Sequence, residues 1–122
     1  MFAAPRFGSP VTPVATALGP KAKGKPTILL SHTPGRPTAR EAIAAGADLV
    51  VSGHTHGGQI WPFSLLIRAI YEHPHGLYEV DGGRQLTTCG IGFWGPPMRL
   101  GAPPEIWVIT LAGAEDGGAA PR

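Results

Sequence analysis

Two short apolar runs separated by one helical stretch constrain the fold of this chain most. Residues 27–31 and 48–51 are rich in leucine and β-branched side chains, which predicts two buried strands. Between them, Thr38 and Glu41 have the spacing of a capping box, and Gly46 suits the left-handed stop of a helix. Strand, helix and strand over this length predict a βαβ unit with two parallel neighbours. The residues that follow the two runs should therefore meet at one edge of the sheet.

Histidines follow both runs. His32 ends the first, and the glycine-rich stretch after the second contains His54 and His56. In an extended segment, residues two apart point the same way, so both rings of this stretch can face one small volume. The glycines around them let the backbone bend sharply and approach a ligand closely. Imidazole is a common metal ligand, and a bound metal activates water. The pattern therefore predicts a metal-dependent hydrolase.

The rest of the chain predicts one more helix and three more strands. Residues 63–71 predict a short helix that covers the sheet through one apolar face, with a membrane surface as the alternative contact. Residues 76–80 and 84–88 flank a glycine turn and predict a hairpin. A loop rich in glycine and proline fills 90–104, and the alternation over 105–111 predicts a final strand.

Composition limits the chain to one modest domain of 122 residues. The predicted organisation is a flexible lead-in rich in proline, alanine and glycine over 1–26, a domain over 27–111 and a disordered tail over 112–122. A net charge of +2 without a basic and aromatic patch argues against nucleic-acid binding. No signal peptide or membrane-spanning run is visible, so we expect a cytoplasmic protein, with peripheral membrane association as the alternative.

Three motifs resemble the calcineurin-like metallophosphoesterases, and most closely the bacterial phosphodiesterase branch that includes enzymes acting near membrane lipids and the cell wall. The motifs occupy residues 28–32, 48–60 and 92–101. The resemblance covers about 26–111 and includes both histidine elements and the late Gly-Pro-Pro-Met-Arg loop in the family's order. It implies an α/β fold that is part of the metallophosphoesterase sandwich. It also implies a site for two divalent metals, manganese, zinc or iron, and a phosphomonoester or phosphodiester substrate.

The resemblance also implies roles for individual residues. His32 and His54 match ligands of the family's second metal, and His56 matches a ligand of the first. Arg99 lies in the late loop, where its guanidinium either binds the substrate phosphate or braces the loop. The remaining histidines, His73 and His75, are predicted to be exposed loop residues rather than ligands.

The acidic half of the family's site is missing from the sequence. Residues 1–31 contain no Asp, Glu, Asn or His, so the family's Asp-x-His, Gly-Asp and Asn-His elements do not precede His32. Two dications about 4 Å apart repel by about 20 kcal/mol at an effective dielectric constant near 20, and neutral imidazoles do not offset that repulsion. We therefore expect a carboxyl-terminal part of the enzyme that is inactive alone. Two alternatives are a single zinc on three histidines, and a non-catalytic metal-binding or docking module that pairs with a separate amino-terminal half.

Overall fold

The computed structural model describes residues 12–21 and 24–111, and the predictions for 1–11, 22–23 and 112–122 lie outside the described residues. Helices and strands alternate along the described chain in the order helix, strand, helix, strand, helix, strand, strand. Their bounds are α1 Val14–Leu18, β1 Ile28–Ser31, α2 Arg36–Ala44, β2 Leu49–Ser52, α3 Phe63–Ile70, β3 Gly76–Val80 and β4 Gly83–Thr87.

The strands form one mixed sheet in the order β1-β2-β4-β3. β1, β2 and β4 are parallel neighbours, and β3 pairs antiparallel to β4. The predicted βαβ unit and hairpin are therefore confirmed. Ser31 pairs with Ser52, which pairs with Thr87, so the three parallel strands end at the same level. Open α/β sheets place ligands at this carboxyl edge, because the loops that leave the strands converge there.

A small core of alanines lies between α2 and the sheet. Ala39, Ala42 and Ala47 are buried together with Val50 of β2. Such short side chains let the helix pack closely on the sheet. Helix α1, which falls within the predicted lead-in of 1–26, also contacts this core through Val14 and Leu18, which are partly buried.

The predicted helix start and the predicted burial of the first strand were wrong. Helix α2 begins at Arg36, with Gly35 as N-cap and no side-chain cap hydrogen bond, so Thr38 lies inside the helix and forms no capping box. Pro37 favours this earlier start because its fixed φ suits the first helical turn. Strand β1 is the outer strand of the sheet, and Leu30 is 67% exposed because no further strand or helix covers it.

The predicted final strand is also wrong, since the described residues 105–111 pair with no strand. Their alternating apolar side chains are largely exposed, and Val108 is 88% exposed. A β-strand requires a ladder of hydrogen bonds to a neighbouring strand, and the described chain places no neighbouring strand beside this segment. Helix α3 forms as predicted but packs on the turn that follows β2, and none of its residues is buried. None of the helices described is long and apolar enough to cross a bilayer.

Candidate metal-binding site

The chain leaves the extended conformation as soon as β2 ends. His54 and His56 both have left-handed backbones, with φ of 70° and 49°. Residues His56–Gly58 form one tight turn, which we call the histidine turn. The premise of an extended segment was therefore wrong, because Gly57 and Gly58 reverse the chain with φ of 62° and 83°. The direction of each histidine ring is set by this turn and not by strand alternation.

The common edge of the sheet brings His32 and His54 into contact. His54 Nδ1 lies 2.8 Å from His32 Nε2, and the ring centroids are 4.6 Å apart. Partial burial lowers the pKa of His54, and the charges of His32 and His56 lower it further when those rings are protonated. A lowered pKa keeps the ring of His54 neutral at physiological pH. A neutral imidazole has the free electron pair that a metal ligand needs.

His56 lies near this pair but not within it. Its Nδ1 is buried and has no hydrogen-bond partner among the described residues. The only described group of three His, Cys, Asp or Glu ligand atoms within 4.8 Å of one another does not include His56. A buried polar atom without a partner is costly, about 1–3 kcal/mol, and invites a ligand or water. The structure thus gives one histidine pair and one separate imidazole with an unsatisfied nitrogen.

Two glycines allow the histidine turn to pack tightly against its neighbours. A Cβ atom at Gly58 would lie 2.3 Å from the Cα atom of Ser64 in α3, and one at Gly57 would lie 2.5 Å from Cys89 Sγ. No side chain fits in these spaces without a shift of the neighbour. The predicted sharp bend at these glycines is confirmed, and their predicted close approach to a ligand stays a prediction.

The late loop over 90–104 is fastened to the histidine turn by the buried amide of Gln59. Its Oε1 accepts a hydrogen bond from the Trp94 backbone N–H at 2.6 Å, and its Nε2 donates to the Trp94 carbonyl at 2.7 Å and the Pro96 carbonyl at 3.2 Å. The side chain therefore pairs with Trp94 much as a neighbouring strand would. Gln59 therefore holds the late loop against the histidine turn.

Arg99 braces the same loop from within. Its guanidinium donates to the carbonyls of Gly92, Cys89 and Ala102, and to that of His56 at 3.1 Å. The bracing role proposed from the sequence is thus what the structure shows. Its alternative role in binding a substrate phosphate stays a prediction.

An apolar cavity of about 360 Å³ opens beside the histidines. His54 and His56 line one side of it, and Phe63, Leu66 and Trp94 line the other. The cavity thus joins metal-ligand candidates to an apolar wall built by α3 and the late loop.

Glu105 is a site residue that sequence reasoning missed. Partial burial raises the pKa of its carboxyl, but hydrogen bonds from His75, the Cys89 backbone N–H, Trp107 and Thr88 outweigh burial and bring the pKa down to about 2. The only sequence signal was an acidic residue directly after two prolines. His75, predicted to be an exposed loop residue, is exposed as expected but pairs with this carboxylate. The same prediction was wrong for His73, which is half-buried because its Nδ1 lies 2.9 Å from Oε1 of the buried Gln85.

The donor set fits the histidine side of a metal site and not the whole of it. His32, His54 and His56 bring imidazole nitrogen atoms to one edge of the sheet, and the buried Nδ1 of His56 has no hydrogen-bond partner among the described residues. Among the described residues, no carboxylate joins His32 and His54 in a group of three ligand atoms. Fold and site together define an α/β protein with a rim of histidines at the ends of parallel strands.

Curated relatives identify this class further. An uncharacterized metallophosphoesterase of Helicobacter pylori is 45% identical over 96 residues, which cover 78% of this chain and 26% of the relative. One of Aquifex aeolicus is 42% identical over 73% of this chain and 34% of its own length. A transmembrane protein with metallophosphoesterase domain of Bos taurus is 39% identical over 73% of this chain and 20% of its own length. No family model and no solved structure matches the chain.

These matches show that the chain belongs to the metallophosphoesterase superfamily. The chain spans between a fifth and a third of the length of the three relatives. The superfamily depends on divalent metals and acts on phosphate esters.

Proposed function

We propose that this chain carries the histidine side of a two-metal phosphoesterase centre, with His32, His54 and His56 as ligands. The single observation that supports this most is the 2.8 Å contact of His54 with His32 at the common end of β1 and β2. Two imidazoles this close, one with a lowered pKa, present nitrogen atoms to one point. Manganese, zinc or iron would suit these nitrogen donors.

The chemistry divides between the cations and the chain. When bound, divalent cations polarise a phosphoryl group and lower the pKa of water for in-line attack. The chain orients His54 and His56 through the histidine turn, and Phe63, Leu66 and Trp94 form an apolar wall of the cavity beside them. That wall favours a phosphate ester whose alcohol part is itself apolar. Phosphomonoesters and phosphodiesters both satisfy this chemistry.

We further propose that hydrolysis needs carboxylates supplied from outside the described residues. Three neutral imidazoles provide no negative charge against two dications. The chain alone should therefore not hold two dications together and should turn over substrate slowly or not at all, although a single zinc ion can still bind at the histidines. Manganese-dependent hydrolysis of bis-p-nitrophenyl phosphate by the purified chain, abolished in His54→Ala, would show instead that the chain is sufficient.

Metal titration by calorimetry tests the ligand assignment directly. Zinc is titrated into the Cys89→Ser variant, so that no thiolate contributes to binding. We expect a dissociation constant below about 10 μM and a loss of about 10–100-fold in His54→Ala. His73→Ala is the matched control, since the His73 ring is engaged by Tyr78 and Gln85 instead, and this variant should bind as the parent does. No binding tighter than about 10 μM, or an equal loss in both variants, would contradict the assignment.

A second proposed role is that of a module that docks on a separate partner carrying the acidic ligands. The outer edge of β1 is unpaired within the described chain, and Leu30 beside it is exposed. Parallel sheets are normally covered on both faces, and free edges invite pairing. The exposed apolar side chains of 106–111 offer a second contact. Size-exclusion chromatography tests this role, and a strictly monomeric and metal-free chain would count against it.

A further inference from the structure

Three side chains of different chemistry, each able to bind a metal, come together next to the histidine turn. None of them belongs to the proposed phosphoesterase site. His75 precedes β3, Cys89 follows β4, and Glu105 follows the late loop. Their ligand atoms all lie within 4.8 Å of one another. The three residues also line a separate cavity of about 130 Å³. Imidazole, thiol and carboxylate from three segments thus share one small space.

Contacts with neighbouring groups already hold these ligands in place. Glu105 Oε1 accepts hydrogen bonds from the Cys89 backbone N–H at 2.7 Å and from Thr88 Oγ1 at 3.0 Å. Its Oε2 is left facing His75 Nε2 at 2.9 Å. The Tyr78 hydroxyl donates to the His75 carbonyl at 2.7 Å and anchors that loop. Metal ligands are commonly oriented by such surrounding hydrogen bonds.

The charges of this cluster suit a dication, in contrast to those of the histidine rim. A Cys89 thiolate and the Glu105 carboxylate bring two negative charges, and a neutral His75 adds none. Arg68 lines the cavity and Arg99 donates to the Cys89 carbonyl. Both guanidinium groups oppose a cation. Burial and the nearby Glu105 carboxylate raise the pKa of the Cys89 thiol, and Arg99 offsets them only in part, so the zinc ion itself has to displace the thiol proton. One sulfur, one nitrogen and one oxygen ligand beside an open cavity match zinc, which accepts three protein ligands and a water.

We propose that His75, Cys89 and Glu105 bind a zinc ion. Binding forms a bond between zinc and the Cys89 sulfur and releases the thiol proton to solvent, because the thiolate is the ligand. The sulfur lies directly against the histidine turn, since a Cβ atom at Gly57 would be 2.5 Å from it. Zinc held there would tie the late loop and β4 to the underside of that turn. The ion is therefore distinct from those of the rim and braces the segment that carries His56.

Cobalt(II) bound at this cluster should give a spectroscopic signal that cobalt bound to the histidine rim cannot give. Thiolate-to-cobalt charge transfer absorbs in the near ultraviolet, and Cys89 is the single cysteine of the chain. We expect a band that saturates with one equivalent of cobalt, disappears on addition of zinc and is absent in Cys89→Ser. His75→Ala and Glu105→Gln should weaken cobalt binding by at least about tenfold. His54→Ala is the control that should keep the band.

Several outcomes would overturn the proposal. One is a folded parent chain with no charge-transfer band, and another is a band whose cobalt affinity is unchanged in His75→Ala. His75 is half exposed, so His75→Ala should fold as the parent does. If circular dichroism shows that Glu105→Gln does not fold, the cobalt affinity of His75→Ala alone tests the proposal. Loss of the band in His54→Ala would also contradict a site separate from the rim. Failure here leaves the calorimetric result for His54 unaffected, because that titration uses the Cys89→Ser variant.

Discussion

Replacement of Gly58 by alanine should separate helix α3 from the histidine turn. The added Cβ would lie 2.4 Å from the Ser64 backbone nitrogen and 2.8 Å from the Phe63 carbonyl carbon. These are backbone atoms of the first turn of α3, so the clash cannot be relieved by a side-chain rotation. The backbone φ of +83° adds about 1 kcal/mol for a residue with a Cβ. Displacement of the packed helix adds about 1–3 kcal/mol.

The matched control is Gly82→Ala in the hairpin turn. Its φ of +86° is nearly the same, but nothing lies within 4 Å of the added Cβ. Urea unfolding followed by circular dichroism should therefore show a loss of about 1 kcal/mol in the control and about 2–4 kcal/mol in Gly58→Ala. The difference between the two variants isolates the contact with α3. Equal losses would refute the close packing of this helix against the turn, and with it the apolar wall beside the histidines.

Two further predictions concern contacts at the two ends of the sheet. In Gln59→Ala, the Trp94 backbone loses both of its hydrogen bonds to the Gln59 side chain. The free energy needed to open the late loop should therefore fall by about 1–2 kcal/mol. Chymotrypsin should then cleave after Phe93 or Trp94 about 5–30-fold faster, and an unchanged rate would contradict the fastening role. The Asp48 carboxylate accepts a hydrogen bond from the Thr27 backbone N–H and forms an ion pair with Lys21. Both contacts lower the pKa of Asp48, and the hydrogen bond from Thr27 has the larger effect. Because the pKa of Asp48 is lower in the folded state, Asp48→Asn should reduce the free energy of unfolding by up to about 1 kcal/mol above pH 4. Urea titrations at a series of pH values should show this difference vanish as the pH falls below that range.

Local patterns in the sequence were sufficient where an element is defined by its own residues. The apolar run before Ser52, the helix over α2 and the glycine turn of the hairpin all specify backbone shape within a few positions. The order of histidine elements likewise predicted which residues meet at the sheet edge, and His32 and His54 do meet. Parallel pairing carries this information, because it brings strand ends from distant parts of the chain to one level.

Features that depend on a distant partner were beyond the sequence. The segment 105–111 has the alternation of a strand, but a strand also needs a neighbour with free hydrogen-bonding groups. Gln59 and Trp94 are 35 residues apart, so no local pattern reveals their pairing. The cluster of His75, Cys89 and Glu105 combines three segments in the same way. An isolated cysteine or glutamate in a sequence carries no sign of such neighbours.

The strain at the rim argues that the histidines are kept for chemistry and not for the fold. His54 and His56 both adopt left-handed backbones, which cost about 1 kcal/mol or more for a residue with a side chain. The chain places glycine at the two positions after His56, so a turn of this shape does not by itself require histidine. His56 also buries an Nδ1 atom without a partner, which adds a further cost. Costs of this kind cluster at functional sites, where the surrounding structure holds the strained residues in place. The His54 ring packs on His32 and Tyr71, whereas the buried Nδ1 of His56 is left without a hydrogen-bond partner among the described residues, and a bound cation would satisfy that atom.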